Sequence, residues 1–267
     1  MDNCLYFEEI NKERYNDTVM PKMWNILSEI MEKTKFDEQN ILLLSLYGSQ
    51  NYRMENDDSD IDCECLIFPT ETDIIFGKPL YSTCITTSYG TCHVKDIRAA
   101  FNELYKSSPN MLEIFASPYM IINKEYSFPL TQICCRFINY FARLNPYKLM
   151  RGFDGLYAKY RKEMNISNKA YANALRMENM MTCLLHGLDY TTELVPHNYI
   201  ALKDIKYSDK IDTKMREYTE NNGYSPVLRS YVDRFYDITD PNSDDGIREI
   251  ISAWEEALMV KYLKLMF

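Results

Sequence analysis

The sequence lacks the features that mark membrane, exported and zinc-binding proteins. No uninterrupted apolar run approaches the roughly 20 residues of a membrane-spanning helix, and the acidic N-terminus has no apolar stretch typical of a signal peptide. The eight cysteines include no C-x-x-C pair, and the three histidines lie far apart along the chain. We therefore expect a cytoplasmic protein in a reducing compartment, with no membrane partner and no zinc site.

The sequence also lacks an excess of positive charge. Lys and Arg number 30 against 39 Asp and Glu, which gives a net charge of −9. This argues against a protein that grips duplex nucleic acid with its whole surface, although a local basic patch remains open. With 267 residues, 46% of them hydrophobic, the chain is long enough for one sizeable core or for a core with a helical extension.

Hydrophobic periodicity predicts an α+β fold whose character changes part-way along the chain. In the first half we predict helices at residues 20–34 and 96–107, and strands at 41–47, 60–68, 82–89 and 90–94. After residue 126 the period is helical, with the best candidates at 130–143, 147–163, 169–186 and 246–266. The sequence therefore predicts a small mixed-sheet domain, residues 1–125, followed by a helical domain, residues 126–267.

The most informative stretch is SLYGSQNYRMENDDSDIDCE, residues 45–64. A predicted strand ends at Gly48 and Ser49, where the missing side chain of glycine lets backbone N–H groups approach a phosphate. A second predicted strand then presents Asp60 and Asp62, whose i, i+2 spacing places both carboxylates on one face. A phosphate-binding turn beside two carboxylates is what metal-assisted nucleotidyl transfer requires, because divalent cations bridge the phosphates and neutralise developing charge.

A simpler interpretation of the acidic run is a solvated strand that follows a turn, and an isolated D-x-D pair is more often that. The whole combination is more specific. A strand, Gly-Ser, a polar insert and S-D-x-D on a second strand together resemble the signature of the nucleotidyltransferase superfamily related to DNA polymerase beta. Glu64 continues the face of Asp60 and Asp62 and is a third candidate metal ligand.

The resemblance extends to a narrower group. GSQNYRMENDDSDIDCECLIFP is similar to the GSxxYGxxxxxSDxDxxGxxxxP pattern of predicted nucleotidyltransferases associated with bacterial and phage RNA-repair operons. Residues 94–117 resemble the helix that follows in that family, with SPNMLE in the place of NPxxLE. Residues 168–181 resemble a later helical segment and place Arg176 at a family arginine. The similarity covers residues 42–190.

This resemblance implies an activity and roles for individual residues. Gly48 and Ser49 would hold the phosphates of a nucleoside triphosphate, with Arg176 as a further nucleotide-binding candidate, and Asp60 and Asp62 would bind Mg²⁺ or Mn²⁺. A nucleoside monophosphate would pass to a hydroxyl acceptor, and pyrophosphate would leave. The family implies an RNA end such as that of tRNA as the acceptor, with a protein hydroxyl as the alternative.

Two positions depart from the family pattern. The third carboxylate, which the superfamily supplies from the strand before the VKDIR segment, is replaced by His93. Three interpretations are open: His93 acts as a base or metal ligand, Glu64 or Asp96 takes the third role, or catalysis is weakened or lost. Arg53 stands where the family commonly has glycine, beside the phosphate turn, where it would contact the triphosphate or narrow the pocket.

Residues 143–176 form a basic segment in an otherwise acidic chain. Its cations are interleaved with aromatic side chains, a mixture that suits phosphate contacts and base stacking on single-stranded or looped RNA. An amphipathic helix pair, with its aromatics in the core and its lysines in solvent, explains the same pattern. The basic residues are Arg143, Lys148, Arg151, Lys159, Arg161, Lys162, Lys169 and Arg176.

These observations leave a second hypothesis of a different class. The chain would be a catalytically impaired member that keeps the fold as a nucleotide- or RNA-binding module, or as a partner-neutralising protein. The replacement of the third carboxylate by His93 and the net charge of −9 motivate it. Metal-dependent binding of a triphosphate would distinguish the enzyme, whereas a pure RNA-binding module would show salt-dependent RNA binding that ignores the metal.

Overall fold

The fold is α+β, as predicted. A computed structural model describes residues 5–10, 13–134, 138–187, 189–210, 226–238 and 247–266. In this part of the chain one six-stranded mixed sheet is followed by helices. The strands are β1 (Phe7–Glu9), β2 (Ile41–Tyr47), β3 (Asp62–Ile67), β4 (Ser82–Thr86), β5 (Thr91–Asp96) and β6 (Met120–Asn123).

The sheet has the order β1-β6-β2-β3-β5-β4, and every neighbouring pair is antiparallel except β3 and β5. The predicted strand at residues 41–47 is confirmed with its bounds, because an apolar run that stops at a glycine marks both the strand and its end. The strands predicted at residues 82–89 and 90–94 are present as β4 and β5, which pair antiparallel. The short strand β1 pairs with β6 at one edge of the sheet and was not predicted.

Helices account for most of the remaining described residues. They are α1 (Val19–Lys33), α2 (Glu71–Ile75), α3 (Ile97–Tyr105), α4 (Pro109–Ala116), α5 (Ser127–Gln132), α6 (Ile138–Leu144), α7 (Pro146–Arg161), α8 (Asn168–Leu185), α9 (Tyr190–Glu193), α10 (Tyr199–Tyr207), α11 (Pro226–Ile238) and α12 (Ile247–Met266). The helix predicted at residues 130–143 is divided between α5 and α6, and residues 135–137 between them lie outside the described part.

The second acidic strand begins later than the alternation predicts. β3 starts at Asp62, so Asp60 precedes the strand rather than lying in it. Ile61, between them, donates its backbone N–H to the carbonyl of Tyr89 at 2.8 Å. From Asp62 onward the period of two holds, since Cys63 is fully buried in the core under α1 while Asp62 faces the other side. The cysteine is therefore a core residue.

Hydrophobic cores lie on both faces of the sheet. On one face α1 packs Met23, Ile26 and Ile30 against the central strands. On the other face α3 and α4 begin a core that continues into α7 and α8, where Phe153 and Met177 belong to the same cluster as Phe101 and Leu112. The last strand of the sheet ends at Asn123 and helices follow, but the hydrophobic core continues across this point.

The last helix returns to the sheet domain. The ring of Tyr262 in α12 stacks on Phe68 with centroids 4.3 Å apart. Its hydroxyl donates to the carbonyl of Pro69 at 2.9 Å and accepts from the amide of Asn40 at 2.8 Å. The C-terminal segment, which the family resemblance does not reach, thus completes the core beyond the end of β3. No helix among the described residues is long and apolar enough to cross a membrane.

Candidate nucleotide-binding site

A sharp turn leads out of β2 at Gly48. Its φ of 92° lies in a region that residues with a Cβ rarely adopt, so the backbone angle itself favours glycine here. The chain then enters a short 3-10 helix, Ser49–Tyr52, and Asn51 donates its N–H to the Gly48 carbonyl at 2.9 Å. The backbone N–H groups of Ser49 and Gln50 have no hydrogen-bond acceptor in the described part of the chain. These two donors are available to an anion.

A buried carboxylate holds the turn from below. Oε1 of Glu113 in α4 accepts the backbone N–H of Gly48 at 2.7 Å and the side-chain amide of Asn51 at 3.3 Å. Its Oε2 accepts the hydroxyl of Tyr52 in a short hydrogen bond. Burial raises the pKa of Glu113, and the nearby Arg176 and these three hydrogen bonds oppose that shift. The Gly48 N–H is thus satisfied internally.

Arg176 completes this cluster from the helical half. Its guanidinium carbon lies 3.6 Å from the centroid of the Tyr52 ring, and only 7% of the residue is exposed. A cation over the face of an aromatic ring is attracted by the ring quadrupole, more strongly where water is excluded. The structure therefore places Arg176, predicted to bind nucleotide, beneath the turn. From there it acts on the turn through Tyr52 and Glu113.

Of the two predicted metal-binding carboxylates, Asp62 lies beside the turn. Asp62 is the register partner of Tyr47, which directly precedes Gly48. One of its oxygens accepts the N–H of Thr91 at 3.1 Å, which fixes the side chain at the start of β5. Asp60 is exposed, and its carboxylate has no hydrogen-bond or ion-pair partner among the described residues. Burial and the Asp62 charge raise the pKa of Tyr47 to about 12.

Glu64, the third predicted metal ligand, has a cation as its partner. Nζ of Lys95 lies 2.6 Å from Oε1 of Glu64 and 2.9 Å from Oε1 of Glu103. Burial raises the pKa of Glu64, and Lys95 opposes the shift. Within the described ranges no three His, Cys, Asp or Glu side chains converge as a metal site. A metal at this position would therefore rest on Asp60 and Asp62, with substrate completing its coordination.

His93 lies on the same face of the sheet as Asp62 and Glu64. It is exposed on β5, opposite Glu64 in the parallel register, and its ring centroid is 6.5 Å from that of Tyr47. Asp96, an alternative for the third role, is fully buried, caps α3 by accepting the N–H of Arg98 at 2.9 Å, and binds the guanidinium of Arg98 at 2.7 Å. Of the three candidate residues, His93, Glu64 and Asp96, only His93 is exposed and has no ionic partner among the described residues.

The basic segment at residues 143–176 divides between core and surface. Phe153 and Tyr157 are buried in the helical core, and Arg143 pairs with Asp189. This agrees with the simpler explanation of the aromatic pattern, in which these rings pack internally. The cations of the segment that remain exposed are Arg143, Arg151, Lys159, Lys162 and Lys169. An RNA contact there stays a prediction that rests on charge rather than on stacking.

The helix α10, which contacts the loop next to the site, was not predicted from the sequence. Lys206 and Tyr207 of α10 both donate to the carbonyl of Met54, at 2.8 and 3.2 Å, and the hydroxyl of Tyr207 lies 2.9 Å from that of Ser59. These contacts hold the loop that carries Asp60 against the helical half. No local pattern could reveal them, because the partners lie about 150 positions apart in sequence.

The chain was also compared with known proteins. No protein-family model matches it, and no curated protein matches it either.

Proposed function

We propose that this protein is a metal-dependent nucleotidyltransferase that moves a nucleoside monophosphate from a nucleoside triphosphate to a hydroxyl acceptor. The observation that carries the proposal is the adjacency of three strands, β2, β3 and β5, in the sheet. The Gly48 turn leaves β2, Asp62 opens the neighbouring β3, and His93 lies on the same face of β5. This arrangement of residues from three separate segments supports phosphoryl-transfer chemistry.

The free donors of the turn suit a triphosphate. The N–H groups of Ser49 and Gln50 point to no partner within the described residues, and backbone N–H groups at a tight turn are established phosphate ligands. The Gly48 N–H is held by Glu113 and serves to fix the turn. We assign phosphate binding to Ser49 and Gln50, and the positioning of their backbone to Glu113, Tyr52 and Arg176.

The two open carboxylates suit Mg²⁺ or Mn²⁺. Asp60 has no partner among the described residues, and Asp62 has one oxygen fixed by Thr91. Mg²⁺ commonly takes one or two protein carboxylates and completes its shell with phosphate oxygens and water. When bound, the ion supplies charge neutralisation at the triphosphate. Glu64 does not belong to this donor set because Lys95 already neutralises it.

The reaction needs a proton acceptor. The acceptor hydroxyl oxygen forms a bond to the α-phosphorus, the bond from that phosphorus to the bridging oxygen breaks, and pyrophosphate leaves with that electron pair. We assign the hydroxyl proton to the imidazole of His93, which is exposed on the same face as Asp62. The exposed lysines of α7 and of the turn after it favour an RNA end as the acceptor, because they can contact its phosphates. A protein hydroxyl is the alternative acceptor.

The replacement of a carboxylate by His93 also supports the second candidate, an impaired module that binds nucleotide or RNA. A binding experiment tests the metal-dependent site, and a nucleotidyl-transfer assay then separates the enzyme from an impaired module that still binds nucleotide. We expect non-hydrolysable nucleoside triphosphates to bind only with Mg²⁺ or Mn²⁺ and binding to be lost in the Asp60→Ala/Asp62→Ala variant. The exposed pair Asp57→Ala/Asp58→Ala in the same loop is the matched control and should bind normally. Triphosphate binding that ignores the metal, or salt-dependent RNA binding alone, would favour the module.

A further inference from the structure

Arg53 adopts a backbone conformation that favours glycine. Its φ of 57° and ψ of 30° are left-handed, and it ends the 3-10 helix of the turn by donating its N–H to the Ser49 carbonyl. This conformation explains why a glycine suits the same position in the sequence pattern that the chain resembles. An arginine at a strained backbone position next to a candidate site points to a role for its side chain there.

Among the described residues, the guanidinium of Arg53 has aromatic neighbours but no anionic partner. Its central carbon lies 4.4 Å from the ring centroid of Tyr15 and 5.7 Å from that of Tyr199. Nε is buried without a hydrogen-bond partner, and within the described part of the chain no carboxylate pairs with the group. Stacking holds the planar group in place while its hydrogen-bonding capacity stays open. A guanidinium in this state is suited to a phosphate, whose oxygens match its fork of donors.

Arg53 lines a cavity of about 540 Å³ between the two halves of the chain. This volume is within the range of small-molecule sites. Asn51 contributes from the turn and Leu194 and Val195 from the helical half, whereas Gly48, Ser49, Asp60 and Asp62 do not line it. The cavity therefore lies to one side of the proposed triphosphate site.

Within the described part of the chain, the cavity wall carries two other charged residues, Arg14 and Glu13, and neither offers a free positive charge to an anion. Arg14 also lines it, but its guanidinium binds Glu9 at 2.6 Å and the carbonyls of Ile10 and Pro118. Glu13 contributes one negative charge to the wall. Among the described residues that line this wall, Arg53 is thus the cation with open hydrogen-bond donors, and it would orient an incoming anion.

We propose that this cavity binds a nucleotide unit bearing a single phosphate, with the phosphate on Arg53 and the base and sugar against the apolar wall of Pro118, Leu194 and Val195. This proposal rests on the proposed function. In that function, a nucleotide bound next to the Gly48 turn would be the terminal nucleotide of the RNA strand that accepts the transferred group. The same chemistry is offered by a free nucleoside 5′-monophosphate and by the terminal nucleotide of a single-stranded RNA.

Calorimetric titration in EDTA tests this proposal without the metal-dependent site. The probes are the four nucleoside 5′-monophosphates and a short single-stranded RNA of mixed sequence. Arg53→Gly suits the left-handed backbone and should fold, yet weaken binding on the order of tenfold or more, because a charged bidentate contact is lost. Arg53→Lys keeps the charge without the planar fork and should give an intermediate loss. The Asp60→Ala/Asp62→Ala variant should bind these probes as tightly as the wild type.

The outcomes are distinct. Arg53-dependent binding of the monophosphates supports the cavity as a site for free nucleotides, and Arg53-dependent binding of RNA alone supports the strand end. Absence of binding by every probe, or equal affinity in Arg53→Gly, overturns the cavity proposal. If nucleotidyl transfer fails while Arg53-dependent binding is observed, only the proposed function is contradicted. If transfer succeeds but Arg53-dependent binding is absent, only the cavity proposal is contradicted.

Discussion

The backbone N–H of Gly48 donates to Oε1 of Glu113 across 2.7 Å, so a carboxylate on α4 fixes the turn at the end of β2. Asn51 and Tyr52 donate to the same carboxylate. Since only 4% of Glu113 is exposed, water cannot replace these bonds without opening the core. The turn is therefore held by a buried acid more than sixty positions away in sequence.

Two replacements of Glu113 should distinguish the contribution of its hydrogen bonds from that of its charge. Glu113→Ala leaves buried donors unsatisfied and should lower the free energy of unfolding by on the order of 3 kcal/mol. Glu113→Gln keeps an oxygen for Gly48 and should cost less. Urea unfolding measures both, and triphosphate affinity should fall in the same order. Equal, negligible losses in the two variants would show that the carboxylate does not hold the turn.

Arg176 and Glu113 should be energetically coupled through Tyr52. Arg176→Met keeps the buried stem but removes the cation, so Glu113 loses the charge that opposes its desolvation. In a double-mutant cycle with Glu113→Gln we expect a coupling energy of about 1–3 kcal/mol. Arg143→Met, at an exposed ion pair with Asp189, is the control and should cost less than about 1 kcal/mol. Additive losses for Arg176 and Glu113 would contradict the link.

Glu178 should make stability depend on pH. Burial between α7 and α8 raises its pKa from 4.5 to about 7, while a hydrogen bond from Tyr157 opposes the shift. The folded state then binds a proton that the unfolded state releases between these values, so this contribution is present below pH 4.5 and is lost as pH rises to about 7. Relative to Glu178→Gln, the melting temperature of the wild type should fall across this window. A constant difference between the two proteins would refute the assignment.

Tyr262 should anchor α12 by its ring and by its hydroxyl. Tyr262→Phe keeps the stack on Phe68 but leaves Asn40 and Pro69 unpaired, with an expected loss of about 1–2 kcal/mol in unfolding free energy. Tyr262→Ala also removes the ring and should cost about 3–5 kcal/mol. The exposed Tyr231 is the control, and Tyr231→Phe should be neutral in the same urea titration. Neutral behaviour of Tyr262→Ala would mean that α12 is not part of the core.

The fold was predictable where the signal is local. The run at residues 41–47 and the helical periods of α1, α7 and α8 follow from patterns within a single element. The edge strand β1 was missed because three residues form it through pairing with β6, more than a hundred positions later. The position of α10 over the Met54 carbonyl was missed for the same reason, since nothing local encodes it.

The acidic and glycine residues of the candidate site were predictable from the sequence. The buried residues that hold the Gly48 turn in place were not. Asp62 and Gly48 are visible because their residue types and spacing carry the chemistry. Glu113 was noted only as part of a family match, although a lone acid within the apolar helix MLEIFA is itself a sign of a buried charge that needs partners. Arg176 gives the same signal on the buried face of α8.

Nucleotidyl transfer itself tests the central claim most directly. The purified protein is incubated with each α-labelled nucleoside triphosphate, Mg²⁺ or Mn²⁺ and total small RNA, beside Asp60→Ala/Asp62→Ala and its control Asp57→Ala/Asp58→Ala. We predict label on RNA or on protein with the wild type and the control only, which would also name the nucleotide and the acceptor class. Label that persists at the wild-type level in Asp60→Ala/Asp62→Ala, or no transfer by the folded wild type with any nucleotide, would contradict the account.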